Sequence, residues 1–127
     1  MRNISTDPDG YGPEDIVARL KRCIDTGIYG IDYTISSRDK NEELFEKYVI
    51  TENDRIDVLR KLTVNDYEGW ERSDNPDYPQ DIVRFFHYKL LLFLRGVEEA
   101  DKRTVNLYIK LSWTKPEGLL VIISFHE

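Results

Sequence analysis

Cysteine is almost absent from this sequence of 127 residues, which contains Cys23 alone. A single thiol can form neither an internal disulfide nor a cysteine-based zinc site, and it is typical of a reducing compartment. Long hydrophobic runs are also lacking: none is longer than the five residues of Leu90–Leu94, whereas a helix that crosses a bilayer needs ~20 apolar residues. No apolar segment of a secretory signal follows Arg2. We therefore expect a soluble, cytoplasmic protein that makes no membrane contact.

A surplus of positive charge is missing as well. The chain carries 18 Lys and Arg residues against 24 Asp and Glu residues, so its formal net charge is −6. Because proteins that hold nucleic acid through phosphate contacts are usually basic, no DNA contact is expected of this chain alone. Two stretches nevertheless contain cations and no acidic residue, residues 84–95 and residues 102–116. Such cations either protect strand edges from aggregation or bind phosphate groups.

Recognisable cofactor motifs are absent too. The sequence has no glycine-rich phosphate loop and no metal-ligand spacing, so we expect neither a cofactor nor a metal, and a small-ligand domain is the weakest functional interpretation. Hydrophobic residues make up 40% of the chain and aromatic residues 12%, which is enough to build a core. The length suits a single domain over residues 1–127, in which residues 1–12 are predicted to form a loose tail.

Helical periodicity dominates the first half of the chain. The predicted elements are a helix over residues 13–27, a short strand within residues 31–35, a helix over residues 37–48 and a helix capped by Thr51. A capping-box pattern at residues 63–66 predicts one more short helix, which would carry Tyr67 and Trp70.

Strand-like sequence dominates the second half. Three strands are predicted, over residues 81–95, 104–113 and 119–126, and the last two are joined by a turn that contains Pro116 and Gly118. Helices followed by strands indicate an α+β domain, with N-terminal helices packed on a C-terminal antiparallel β-sheet.

The alternation of side chains predicts how the last two strands pair. The odd-numbered residues of 105–113 and of 119–125 are apolar, so both strands bury the same set only if paired residue numbers sum to an even number. Pairing Trp113 with Leu119 meets this condition. The face turned away from the helices, here called the outer face, would then carry Tyr108, Lys110, Ser124 and His126.

A patch of Tyr, Lys and His side chains suits one chemistry that needs no metal. RNA is cleaved when its 2′-OH attacks the adjacent phosphorus, and an enzyme assists by moving protons and by neutralising phosphate charge. On residue types alone, the structural interpretation competes with this one. His126 would then be a solvated side chain at the end of a strand, and Tyr108 would contribute to ordinary β packing. His87, in a hydrophobic strand, is interpreted as a hydrogen-bonded structural histidine.

Two strands and one upstream element carry a family resemblance. Residues 105–111 (Val-Asn-Leu-Tyr-Ile-Lys-Leu) and 121–127 (Val-Ile-Ile-Ser-Phe-His-Glu) resemble the C-terminal signature of the MqsR-like toxins, the messenger-RNA interferases of bacterial toxin–antitoxin systems. Residues 58–67 (Val-Leu-Arg-Lys-Leu-Thr-Val-Asn-Asp-Tyr) are similar to the family's helix and the Leu-Ser/Thr-x-x-Asp-Phe/Tyr element that follows it. The resemblance implies a RelE-like fold, a metal-independent endoribonuclease activity on messenger RNA, and a cognate antitoxin as partner.

The resemblance also implies site residues. Tyr108 falls on the family's active-site Tyr, His126 falls where members carry Lys or His, Lys110 lies in the matching strand motif, and Gln80 is aligned with an active-site Gln. In this hypothesis Tyr108 and His126 transfer protons, while Lys110 and Arg84 stabilise phosphate charge.

A non-enzymatic interaction module on the same scaffold is the alternative. Its acidic surface would bind a basic partner, and Leu120, Ile122 and Leu90–Leu94 would form an apolar face. The net negative charge favours this alternative. So does Gly69, which stands where some family members carry an active-site Lys.

Overall fold

The computed structural model describes residues 2–77, 81–96, 101–114 and 118–127. Within these ranges the fold is α+β, with the helices in the N-terminal half and the long strands in the C-terminal half, as the sequence predicts. The helices are α1 (Pro13–Thr26), α2 (Asp39–Lys47) and α3 (Glu52–Lys61). The strands are β1 (Tyr33–Ile35), β2 (Tyr48–Val49), β3 (Tyr67–Arg72), β4 (Ile82–Leu94), β5 (Lys102–Trp113) and β6 (Leu120–His126). No helix in the described ranges is long and apolar enough to span a bilayer.

Local signals determine where the helices begin and end. At the start of α3 the Thr51 hydroxyl accepts a hydrogen bond from the Asp54 amide (3.1 Å), and the Asp54 carboxylate accepts one from the Thr51 amide (2.8 Å). This reciprocal capping box satisfies two amides that the helix itself leaves unpaired. At the other end of the helical region, α1 stops at Thr26 and is capped by Gly27. The predicted caps of both helices are confirmed.

The prediction of a short helix that carries Tyr67 and Trp70 is wrong. The capping pattern does form at Thr63, but it supports a single 3₁₀ turn over Val64–Asp66, after which the chain enters β3. Pairing with β4 overrides the local helical signal, because β3 gains a full antiparallel partner over Ile82–Phe86.

One mixed sheet contains all six strands described. Its order is β1-β6-β5-β4-β2, and β3 pairs with the same edge of β4 as β2 does. The predicted antiparallel sheet is confirmed for the long strands, whereas β1 runs parallel to β6. The helices cover one face, where the core includes Leu20, Leu59, Leu107 and Ile109. The outer face lies on the opposite side and displays Tyr108.

The predicted register of β5 and β6 is wrong by one residue near Trp113 and by two residues at the other end, where Tyr108 pairs with His126 rather than with Ser124. Trp113 pairs with Leu120 rather than with Leu119, and a bulge then shifts the pairing at Ile123. An extra residue in one strand reverses which side chains face the core. Leu120 and Ile122 are therefore fully buried, and so is Phe125 beyond the bulge. Leu120 and Ile122 therefore belong to the core and not to the apolar face proposed for the interaction module.

The segment predicted as a loose tail packs on the sheet. Asn3 forms two backbone hydrogen bonds with Trp70 of β3, and the Asp7 side chain is buried. Gly69 permits this approach, since it has a φ of +115° and a Cβ there would lie 2.7 Å from the Asn3 carbonyl oxygen. The N-terminal segment is thus part of the structure around the site.

Candidate active site

Three aromatic rings form a row across the outer face. The register places His87 of β4 opposite Tyr108 of β5, and Tyr108 opposite His126 of β6. The His87 and Tyr108 rings stack with their centroids 5.1 Å apart and an interplanar angle of 12°. The Tyr108 and His126 centroids are 6.2 Å apart. This ring row, His87–Tyr108–His126, is open to solvent at its centre, because Tyr108 is 49% exposed.

The His126 imidazole is oriented by the main chain of the next residue, Glu127. Its Nδ1 lies 3.0 Å from the main-chain oxygen of Glu127. Since a carbonyl oxygen can only accept, this contact is a hydrogen bond when Nδ1 carries the proton, which leaves a lone pair on Nε2. The Glu127 side chain is held in turn by the Tyr48 hydroxyl, which donates to it at 2.7 Å, and by Lys47 at 3.0 Å. The end of β6 is therefore fixed by contacts that leave one imidazole nitrogen available.

A groove of about 220 Å³ adjoins the ring row and brings two cations to it. Tyr108, Lys110 and His126 line it together with Arg2 and Phe85. The Arg2 guanidinium lies 3.8 Å from the centroid of the Phe85 ring, and the Lys110 ammonium lies 5.8 Å from the same centroid. Two cations beside three polar rings make a site for an anion such as a phosphate diester.

Acidic side chains border the same groove. Glu68 lines it, and the carboxylate of Glu71 lies 4.0 Å from Nε of Arg2. Both members of the Arg2–Glu71 pair are exposed, so solvent screens their attraction and the guanidinium remains available to a ligand.

Arg84 does not belong to this site, and its predicted phosphate contact is wrong. Its side chain is 0% exposed on the core side of β4, where Nη2 lies 2.7 Å from Asp7 and 3.1 Å from Asp9. Nε donates a further hydrogen bond to Asp7 at 3.1 Å. A guanidinium enclosed by two carboxylates cannot reach a substrate, so Arg84 anchors the N-terminal segment to the sheet. The sequence did not reveal this, because the two faces of β4 have similar composition.

The other predicted site residues have different outcomes. The structure brings Tyr108, Lys110 and His126 together, whereas Gln80 lies outside the described residues. His87 and Arg2 are the neighbours that sequence reasoning missed. The prediction of a hydrogen-bonded His87 is wrong, since its shielded Nε2 has no partner among the described residues. The sequence signalled neither residue, because the two faces of β4 have similar composition and Arg2 lies in a segment without periodicity.

A second, larger groove of about 510 Å³ continues along the outer face from Lys110. Arg38 and Lys110 contribute positive charge to its walls, and Asp74 and Asp81 contribute negative charge. Its apolar surface comes from Val83, Val121 and Ile123. Arg38 is fixed by a 2.7 Å hydrogen bond that its Nη1 donates to the Ser124 hydroxyl. Lys110 therefore stands where two grooves meet, one beside the ring row and one with an apolar wall.

Neither a metal cluster nor a known relative adds to this picture. Across the ranges that the structure describes, no three His, Cys, Asp or Glu side chains are grouped so that they could hold a metal ion. Comparisons with protein-family models, with curated proteins and with solved structures find no match to this chain.

Proposed function

We propose that the protein is a metal-independent endoribonuclease that cleaves messenger RNA, and that it acts as a toxin neutralised by a cognate antitoxin. The observation that carries the proposal is the ring row with Arg2 and Lys110 beside it on an open face. General acid–base groups and phosphate-binding cations are the two requirements of RNA cleavage by an internal nucleophile.

The cleavage step assigns one task to each side chain. His126 Nε2 accepts the proton of the 2′-OH, the 2′ oxygen forms a bond to phosphorus, and the bond from phosphorus to the 5′ oxygen breaks. The Tyr108 hydroxyl donates its proton to the departing 5′ oxygen. The products are a 2′,3′-cyclic phosphate and a free 5′-OH. Lys110 and Arg2 stabilise the charge that grows on the phosphate oxygens.

His87 is a positioning residue in this scheme. Its ring stacks on Tyr108 and limits the motion of the phenol, while the larger groove beyond Lys110 accommodates a neighbouring nucleoside against its apolar wall. Arg2, Arg38 and Lys110 supply the local positive charge, against a net charge of −6 and the acidic side chains that line the same grooves.

Cleavage of a labelled RNA in the presence of EDTA tests the activity. We expect the wild type to cleave the RNA, to leave a 2′-O-methyl analogue intact, and to yield a cyclic phosphate end. His126→Ala and Tyr108→Phe should each lower the rate by roughly 100-fold or more. Tyr29→Phe, in the connection between α1 and β1, is the matched control and should leave the rate unchanged. Absence of cleavage by the wild type, or equal rates for all four proteins, would refute the proposal.

Expression in a bacterial host tests the toxin role. The wild type should arrest growth and deplete messenger RNA, whereas Tyr108→Phe expressed at the same level should do neither. Growth arrest by both proteins would assign the toxicity to binding rather than to cleavage, as the interaction-module alternative requires.

A further inference from the structure

One edge of β4 is paired at both ends and unpaired in the middle. On this edge β3 pairs with Ile82–Phe86, and β2 pairs with Phe93 and Leu94. Among the described residues no strand pairs with residues 87–92 on this side, although the other edge of the same segment is fully paired with β5. We call residues 87–92 the edge gap.

Space for another chain lies beside the first half of the edge gap, at His87–Lys89. A groove of about 490 Å³ runs there between the 3₁₀ turn and β4, lined on one side by Asn65, Asp66 and Glu68 and on the other by His87, Tyr88 and Lys89. An unpaired strand edge next to an open groove presents main-chain donors and acceptors to a partner.

The outer-face side chains at the edge gap are apolar and basic. Leu91 is 62% exposed and Phe93 is 38% exposed, and both lie on the outer face of β4. The Lys102 ammonium lies 4.8 Å from the centroid of the Phe93 ring. Residues 87–93 and 102–108 together contain three cations and no acidic residue. Exposed apolar side chains on an unprotected edge are a usual mark of a binding surface.

We propose that the edge gap binds an extended segment of a partner protein, which adds a strand of about six residues to the sheet. The segment would place an apolar side chain opposite Leu91 and a carboxylate opposite Lys89. The length of the segment follows from the ends of the gap. Six residues of strand span ~20 Å. Beyond them the edge of β4 is already paired with β3 at one end and with β2 at the other. Strand β4 of a second copy does not fit the gap, because it has 13 residues.

The test uses a synthetic peptide and does not depend on RNA cleavage. The probe is a capped Thr-Val-Val-Glu-Val-Thr peptide, written to run antiparallel to β4 with its glutamate opposite Lys89. Titration into the isotope-labelled full-length protein should shift the backbone amide signals of residues 87–92 in a saturable way. A second peptide, with every other amide N-methylated, should not bind, because it lacks the donors that strand addition needs.

Two variants with a matched control identify the contacts. Leu91→Thr should weaken binding roughly 3-fold, as expected for one lost cross-strand apolar pair. Lys89→Glu should weaken it by a similar factor, and a peptide with lysine in place of its glutamate should restore the affinity. Ile31→Thr changes an exposed isoleucine elsewhere and should have no effect. Equal binding of the N-methylated peptide, shifts confined to other residues, or no shift at millimolar peptide would overturn the proposal.

Discussion

Tyr108 lies directly opposite His126 across β5 and β6, and a bulge at Ile123 makes this pairing possible. Before the bulge β6 buries Leu120 and Ile122, and after it β6 buries Phe125. A regular strand could not bury all three and still present His126 beside the phenol, because alternate residues of a strand share one face. The candidate site therefore depends on an irregularity in the sheet.

The buried ion pair of Arg84 is predicted to govern stability rather than catalysis. Arg84→Met should lower the free energy of unfolding by about 3–5 kcal/mol, because it leaves the Asp7 carboxylate buried without its partner. Arg60→Met removes two exposed ion pairs and should cost much less, because solvent screens both of them. Urea unfolding followed by tryptophan fluorescence measures both. Equal costs would contradict the structural role given to Arg84.

Removal of the Tyr67 hydroxyl is predicted to stabilise the protein. Its buried oxygen has no hydrogen-bond partner among the described residues, so Tyr67→Phe should raise the free energy of unfolding by about 1 kcal/mol. Burial raises the pKa of Tyr67 to about 12, from an ordinary value of 10.0.

The gain in the free energy of unfolding from Tyr67→Phe should increase at alkaline pH. A group whose folded pKa is raised stabilises the fold most below its unfolded pKa, and this contribution is lost as the pH rises from about 10 to about 12. The phenylalanine variant has no such loss, so its advantage widens over that range. Thermal unfolding from pH 7 to pH 11 measures the difference, and an advantage that shrinks above pH 10 would show that Tyr67 is not buried as a neutral phenol.

Lys110 is predicted to act on the phosphate through its charge. Lys110→Ala should lower the RNA cleavage rate by roughly 100-fold, whereas Lys110→Arg should retain much of the activity. Lys61→Ala, an exposed lysine at the end of α3, serves as the control for loss of one positive charge. Single-turnover rates at saturating RNA separate catalysis from binding. If both alanine variants lose the same small factor, Lys110 contributes only to general attraction of RNA.

The Glu127 carboxylate is predicted to make the stability of the fold depend on pH in the acidic range. The hydrogen bond from the Tyr48 hydroxyl, helped by Lys47, lowers the pKa of the Glu127 carboxyl below its ordinary value of 4.5. A group with a depressed pKa stabilises the fold above its unfolded pKa, and the contribution is lost as the pH falls through the folded pKa. Glu127→Gln should therefore lower the melting temperature at pH 7, and the difference from wild type should shrink as the pH falls below 4.5 and through the lowered pKa of Glu127. Glu46→Gln, exposed on α2, should show no such change.

Local chemistry explains which parts of the fold were predictable. The caps of α1 and α3 depend on residues three positions apart, so the sequence displays them directly. β3 depends on pairing with residues far along the chain, which a capping pattern cannot report. The outer-face grouping of Tyr108, Lys110 and His126 was predicted from a register that is wrong along its whole length. The error is one residue near Trp113 and two residues beyond the bulge, and a shift of two residues keeps the even-numbered side chains on the outer face.

The rest of the candidate site needed coordinates. Arg84 and His87 lie on opposite faces of β4, and nothing in the composition of that strand distinguishes the faces. Arg2 reaches Phe85 only because the first residues run along β3, and no periodic pattern marks that path.

The position of Gly69 has a consequence for the charge of the groove. It lets Asn3 approach β3, and this places Arg2 at the rim of the groove beside Tyr108. A β-carbon at residue 69 would lie 2.7 Å from the Asn3 carbonyl oxygen and would push this part of the main chain outward. The Arg2 guanidinium would then withdraw from the Phe85 ring, so a main-chain position on β3 controls how much positive charge a phosphate meets.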